Sequence, residues 1–181
     1  MGARLRARRR GLTRSAEGNI ESLISFSEFA LALAGFAAIA LVLGRREGVL
    51  PSGSAYVVQF MVINALGPAM LALLAAVLME FAISGAALAR ICSAIYLVFA
   101  PVFAGLSLRR ERTLASSNEL VLPASIGRGL WTGSGIAHLV QLSNLVGFPA
   151  EPSLGLFLLG LWVLLLMAAV QFVALLFISF R

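Results

Sequence analysis

The chain of 181 residues has no lysine, one cysteine and one histidine, and only 12% of its residues are charged. Each scarcity excludes something. A single thiol, Cys92, leaves no internal disulfide and no cysteine-based metal cluster; it reads as a buried, inert group. His138 has no second histidine to share a metal with, and a lone histidine more often bonds a neighbouring backbone or side chain than a metal. No serine sits in a nucleophile-elbow context and no glycine-rich loop follows a strand pattern, so hydrolase and nucleotide-binding readings find no support. Alternation of apolar and polar residues is missing as well, which argues against a β-barrel. The reading therefore assigns no catalytic, cofactor-binding or metal-ligating residue, and no cofactor.

What is abundant is apolar side chain. With 60% hydrophobic residues and a mean hydropathy of +0.97, too little polar surface exists to cover a soluble domain. Apolar stretches of at least about 20 residues recur, the length a helix needs to cross about 30 Å of hydrocarbon. The expected fold class is an all-α integral membrane protein, a bundle of five transmembrane helices with four as the alternative. Its place is a cell membrane, crossed several times. All 14 basic residues are arginine, a usage expected from a GC-rich bacterial genome.

Residues 1–21 form a separate unit. They hold six arginines and two glutamates, +4 of the net +6, and are too polar to pack. A disordered tail, or one lying on anionic lipid, is expected. Arg9-Arg10-Gly11-Leu12 loosely resembles a twin-arginine signal, but the apolar run begins about ten residues later and contains Glu28, and no small-x-small cleavage site follows before Arg45. The segment reads as uncleaved.

Residues 22–181 read as a single transmembrane domain whose spans are set by charges and breakers. The first, 23–44, closes at Gly44 and Arg45-Arg46-Glu47, with Pro51-Ser52-Gly53 in the loop. The second is 56–80; a turn around Ser84-Gly85 leads to the third, 86–108, which Arg109, Arg110 and Arg112 are expected to stop. A polar linker precedes 129–148, an awkward span containing His138, Gln141 and Asn144, and Pro149 and Pro152 break it before the last span, 154–180, with Gln171 inside. If 129–148 crosses, one face collects seven arginines (45, 46, 109, 110, 112, 128 and 181), and the turns on the other face hold none. Positive-inside bias makes the arginine face cytoplasmic, although the six arginines of the tail point the other way. If it does not cross, it is an interfacial or re-entrant helix.

Reflection about the Ser84-Gly85 turn puts Glu80 and Arg90 at equal depth, roughly 7 Å inside it. Glu28 enters at the same level from the first helix, so Glu28, Glu80 and Arg90 form an expected polar cluster, with Glu80 and Arg90 paired across the hairpin. The plainer alternative is three independent headgroup anchors. The same reflection matches Pro68 with Pro101, two expected helix bends side by side, with Asn64 placed to bond a backbone group freed by Pro68. Asn64, His138, Gln141, Asn144 and Gln171 complete the intramembrane polar set. Alanines at four-residue spacing (Ala30, Ala34 and Ala38; Ala72 and Ala76) suggest close helix packing.

Three function classes follow. The first is a non-catalytic subunit, scaffold or partner-binding module of a membrane assembly. The second is a small oligomeric conduit using the Glu28/Glu80/Arg90 cluster and the paired prolines, and the third is a lipid-acting membrane enzyme with His138 or a glutamate as base. Expected partners are the bilayer itself, anionic lipid at the arginine-rich face, and further copies or other subunits. Nucleic acid is not expected, because arginines at membrane boundaries serve topology.

Overall fold

The computed structural model describes the backbone of residues 2–43, 52–117 and 122–179, and the side chains of 17–39, 53–117 and 122–177. The Arg45-Arg46-Glu47 loop, residues 118–121, Arg181 and the side chains of the basic tail lie outside the described residues.

Five helices and no strand occur among the described residues: α1 (Gly2–Leu43), α2 (Ser52–Glu80), α3 (Gly85–Ser116), α4 (Ala124–Val146) and α5 (Leu154–Ser179). Four of them, α1, α2, α3 and α5, contain stretches long and apolar enough to cross a membrane. The helices differ from the sequence expectation at four ends. α2 starts at Ser52 and so takes in Ser52 and Gly53, which were expected in the loop. α1 begins at Gly2, so the basic segment expected to be disordered continues the first helix, as its alanine, leucine and arginine favour. α3 does not stop at the arginines but runs eight residues beyond 108 to Ser116. Arginine and glutamate are good helix formers, and leaving hydrocarbon does not itself end a helix. The stop comes at Ser117, whose backbone N–H turns back to the Thr113 carbonyl at 3.2 Å. α4 starts at Ala124, directly after Pro123, five residues before the expected 129.

The turn between α2 and α3 is tight. Ile83 N–H donates to the Leu78 carbonyl (3.2 Å) and Ala82 N–H to the Met79 carbonyl (3.0 Å), the paired bonds of a Schellman cap. That cap requires a left-handed residue, here Ala82 at φ 61° rather than the usual glycine. Ser153 caps α5, its Oγ accepting from the Leu156 N–H at 3.2 Å.

α5 packs against all four other helices, whereas α1 touches only α2 and α5. Centrality suits α5, because Phe157, Leu161, Leu165 and Ala168 are buried on it with no ionisable group in the helix. α1 meets α2 through small residues. Ala30, Ala34 and Ala37 are buried against a stripe including Ala65, Ala69, Ala72 and Ala76, while Ala38, expected in the contact, is exposed. Ser27 crosses this seam, donating to the Ala69 carbonyl at 3.2 Å. Such close backbones gain dispersion contacts, which matter most where lipid supplies no hydrophobic drive for association.

Candidate functional site

Four polar side chains of α4, Ser134, His138, Gln141 and Asn144, lie on one face, while Ser125, Arg128 and Thr132 are exposed. Leu130, Ala137, Gln141 and Asn144 are its buried residues, and Ser134 and His138 are half-buried between them. Spacing of three and four residues brings these positions round to the same side of a helix. Opposite them, Ile136, Leu139, Leu142 and Val146 are all exposed. α4 therefore carries its polar stripe inward and its apolar stripe outward, the reverse of a helix on a water-soluble protein.

The inward stripe forms a connected network. Ser93 of α3 donates through Oγ to Gln141 Oε1 at 2.6 Å and accepts from Asn144 Nδ2 at 2.9 Å. Gln141 Nε2 then donates to the Phe157 carbonyl of α5 at 2.9 Å, and Asn144 Oδ1 accepts from the Ser153 N–H at 2.8 Å. Gln141 lies on α5 where Gly160 has no side chain; a Cβ there would collide with its amide. One turn along, His138 Nδ1 lies 2.7 Å from the Ser134 carbonyl and 3.3 Å from Tyr96 Oη. A carbonyl can only accept, so that contact places a proton on Nδ1. Ser93, Tyr96, Ser153 and Gly160 belong to this site and were not singled out in the sequence, where isolated serine and glycine in an apolar helix are unremarkable.

Contacts along the helices show how far α3, α4 and α5 run together. The Arg90 guanidinium stands 3.5 Å from the place a Cβ would occupy on Gly147, and at the other end Trp131 Nε1 donates to Glu111 Oε2 at 2.8 Å. From 90 to 111 on α3 is about 31 Å of helix, the thickness of a bilayer core. α4 thus lies antiparallel along the length of its neighbours, and is not laid across their ends.

The expected Glu28/Glu80/Arg90 cluster is divided. Glu28 and Glu80 border a common groove with Glu17 and Glu21, but Arg90 does not line it. Neither Glu80 nor Arg90 has a hydrogen-bond or ion-pair partner among the described residues, so the cross-hairpin pair is not made there; Arg90 turns instead to the α4–α5 corner at Gly147. The helices turn at 81–84 and not about Gly85. Glu80 is therefore the last residue of α2 whereas Arg90 is the sixth of α3, about 7 Å further in, and the reflection that paired them does not hold.

The prolines also part company. Both lie inside their helices, but Pro68 is fully buried and Pro101 is exposed between Val98 and Val102, so they do not face one gap. The Asn64 side chain, expected on a freed carbonyl, donates to Gln171 Oε1 of α5 at 3.3 Å. Gln171 Nε2 is buried with no hydrogen-bond partner among the described residues. No group of three or more histidine, cysteine or acidic residues arranged for a metal occurs among the described residues.

At the arginine-rich end, α2, α3, α4 and α5, with Leu122 and Pro123 ahead of α4, line a partly open cavity of about 260 Å³. Tyr56, Phe60 and Trp131 contribute aromatic faces, Glu111 and Arg128 one charge of each sign, and Gln171 a buried amide. Tyr56 and Phe60 stack with ring centroids 6.1 Å apart, and Phe60 lies 6.3 Å from Trp131.

Comparison with protein-family models, with curated proteins and with solved structures gives no match. The class of the protein therefore rests on its own geometry: an all-helical bundle with four candidate membrane spans and a fifth helix whose polar side is turned inward.

Proposed function

We propose that the chain crosses a cell membrane five times and serves as a non-catalytic, partner-binding subunit of a membrane assembly. One observation carries the membrane reading of α4: its amides Gln141 and Asn144 are consumed by bonds to Ser93, the Phe157 carbonyl and the Ser153 N–H, while Ile136, Leu139, Leu142 and Val146 face outward. In water that outer face would be a cost, and in hydrocarbon it is the matching surface. α4 spans 23 residues, enough to cross. Arg109, Arg110, Arg112 and Arg128 then share one end of the bundle, opposite the groove of Glu17, Glu21, Glu28 and Glu80. Positive-inside bias makes the arginine end cytoplasmic, where anionic headgroups would meet it.

The subunit reading is favoured over a conduit by how the polar groups are distributed. The Ser93/Gln141/Asn144 network and the Asn64/Gln171 pair meet α5 about 21 Å apart along its axis, at Phe157 and at Gln171, with buried Leu161, Leu164, Leu165 and Ala168 on the helix between them. α3 is the least covered of the four candidate spans, with 22% of its most apolar window buried against 44% for α2 and α5. Its outward Phe99, Val102, Phe103 and Leu106 offer a partner helix large apolar side chains around Pro101.

Two measurements test this. In a Cys92→Ser background, a cysteine at Ser116 should resist an impermeant thiol reagent in intact cells while one at Ala150 reacts; equal labelling would reduce the spans to four. A photo-crosslinking residue at Phe103 in native membranes should give one discrete adduct with a different protein, in fixed stoichiometry by native mass spectrometry. Adducts with lipid alone, together with proton or cation flux in vesicles, would overturn the subunit reading in favour of a conduit.

A further inference from the structure

The cavity at the arginine-rich end has the chemistry of a binding site. Its exposure is graded: Gln171 is fully buried, Glu111 and Trp131 are half-buried, and Arg128 is exposed. Gln171 lines the cavity and keeps one amide group, Nε2, without a partner among the described residues, although no part of the residue reaches solvent. Exchanging nitrogen and oxygen in both Asn64 and Gln171 would leave Oε1 over instead, so in either orientation one polar atom of this amide is unspent. Leaving such a group buried is costly, and a native fold tolerates it where something else supplies the partner.

The rest of the lining says what that partner carries. Glu111 is held by Trp131 through Oε2 at 2.8 Å. Its Oε1 looks toward Gly127, 3.9 Å from where a Cβ would stand, so no side chain covers it from that direction. Tyr56, Phe60 and Trp131 add π-faces, which attract an ammonium group as a carboxylate does. Arg128 at the mouth offers a guanidinium suited to phosphate. Among the described residues one acid and one base make the charged lining neutral, matching a zwitterion and not an anion.

We propose that this cavity binds an ammonium-bearing zwitterionic phospholipid, with the ammonium among Glu111 and the aromatic rings, the phosphate at Arg128 and an acyl-ester carbonyl on the Gln171 amide. The assignment rests on the membrane embedding proposed above, since it is the bilayer that delivers such a ligand to a cavity at this depth. It differs from a general attraction of anionic lipid to surface arginines in requiring the headgroup to carry a positive charge.

Trp131 supplies the reporter. Trp162, the other tryptophan, lies against Phe26 and Phe29 and is replaced by phenylalanine, so that emission comes from the cavity alone. The full-length variant in detergent is titrated with phosphatidylethanolamine, with phosphatidylglycerol of the same acyl chains, and with free phosphoethanolamine. The expected result is a saturable change in emission with phosphatidylethanolamine at least tenfold tighter than with either of the others. Glu111→Gln keeps an acceptor for Trp131 and removes the charge, and should weaken that binding about tenfold, about 1.4 kcal/mol. Gly127→Leu fills the cavity at a helical position where leucine is the better helix former, and should abolish the response with the melting temperature unchanged or raised. Equal affinity for the two lipids, or an unchanged response in Gly127→Leu, would overturn the site. Free phosphoethanolamine binding as tightly as the lipid would overturn the lipid as its source. Failure of the protein to enter nanodiscs would instead refute the embedding, whereas entry without headgroup preference refutes only the cavity assignment.

Discussion

A single methyl group on Gly160 tests the contact between α4 and α5. A Cβ at that position would fall on the Gln141 amide, colliding with Nε2 and standing 3.1 Å from Cδ and 3.3 Å from Cγ. The amide cannot simply step aside, because Nε2 is bonded to the Phe157 carbonyl at 2.9 Å and Oε1 to Ser93 Oγ at 2.6 Å. Gly160→Ala then has two ways to relax. α5 can move outward, at an overpacking cost of about 1–3 kcal/mol. Alternatively Gln141 can rotate away and give up two hydrogen bonds, each worth about 0.6–1.7 kcal/mol between membrane helices. Better helix propensity returns up to about 1 kcal/mol. The net expectation is a loss of about 1–2 kcal/mol. Gln141→Ala removes the obstacle, so the double variant should be more stable than the sum of the single losses by at least about 1 kcal/mol. Reversible unfolding in mixed micelles, followed by circular dichroism against the mole fraction of denaturing detergent, measures all four proteins. If Gly160→Ala is as stable as the parent, or the two losses add within about 0.5 kcal/mol, then Gln141 does not lie on Gly160 and the packing of α4 described here is wrong.

The same assay separates four further positions. Gly133→Ala would bring a Cβ to 2.9 Å from Met167 Sδ; the thioether is flexible and can swing away, so the loss should stay below about 0.5 kcal/mol, and a loss as large as that at Gly160 would show that Met167 is rigidly held. Ala82→Gly relieves a left-handed alanine at φ 61° and should stabilise by about 0.5–1 kcal/mol; destabilisation would mean that Ala82 does not take the Schellman position. Glu80→Arg and Arg90→Glu should each change stability by less than about 0.5 kcal/mol, and the charge-swapped double should equal their sum. Recovery in the swap would restore the cross-hairpin pair that the described side chains do not make.

The relation between residues and fold is clearest in α4 itself. Its polarity made 129–148 ambiguous between a span and an interfacial helix, since composition counts polar groups without saying whether they find partners. The positions of Gln141 and Asn144 were legible, as was their rarity in an apolar chain. That Ser93, the Phe157 carbonyl and the Ser153 N–H would be waiting for them was not, because those groups come from helices about 10 to 50 residues away and serine is common at such places. The same holds for the cavity. By sequence Arg128 is a topological charge and Gln171 a polar residue in the last span, and only packing puts them around one space with Glu111 and Trp131.

The sequence by itself determined that this protein is helical and where four of its helices could cross a membrane. Run length, breakers and the rise per residue are local quantities, and they need no knowledge of neighbours. The tertiary structure alone decided how side chains leave their helices. It sent Arg90 to Gly147 and not to Glu80, Pro101 outward while Pro68 went in, and the α4 amides onto α3 and α5. The physical reason is rotation about the helix axis. A helix in lipid keeps its apolar length whichever way it is turned, and what selects one rotation is which buried polar atoms then find partners and which backbones, at Ala69 or Gly160, can be closely approached.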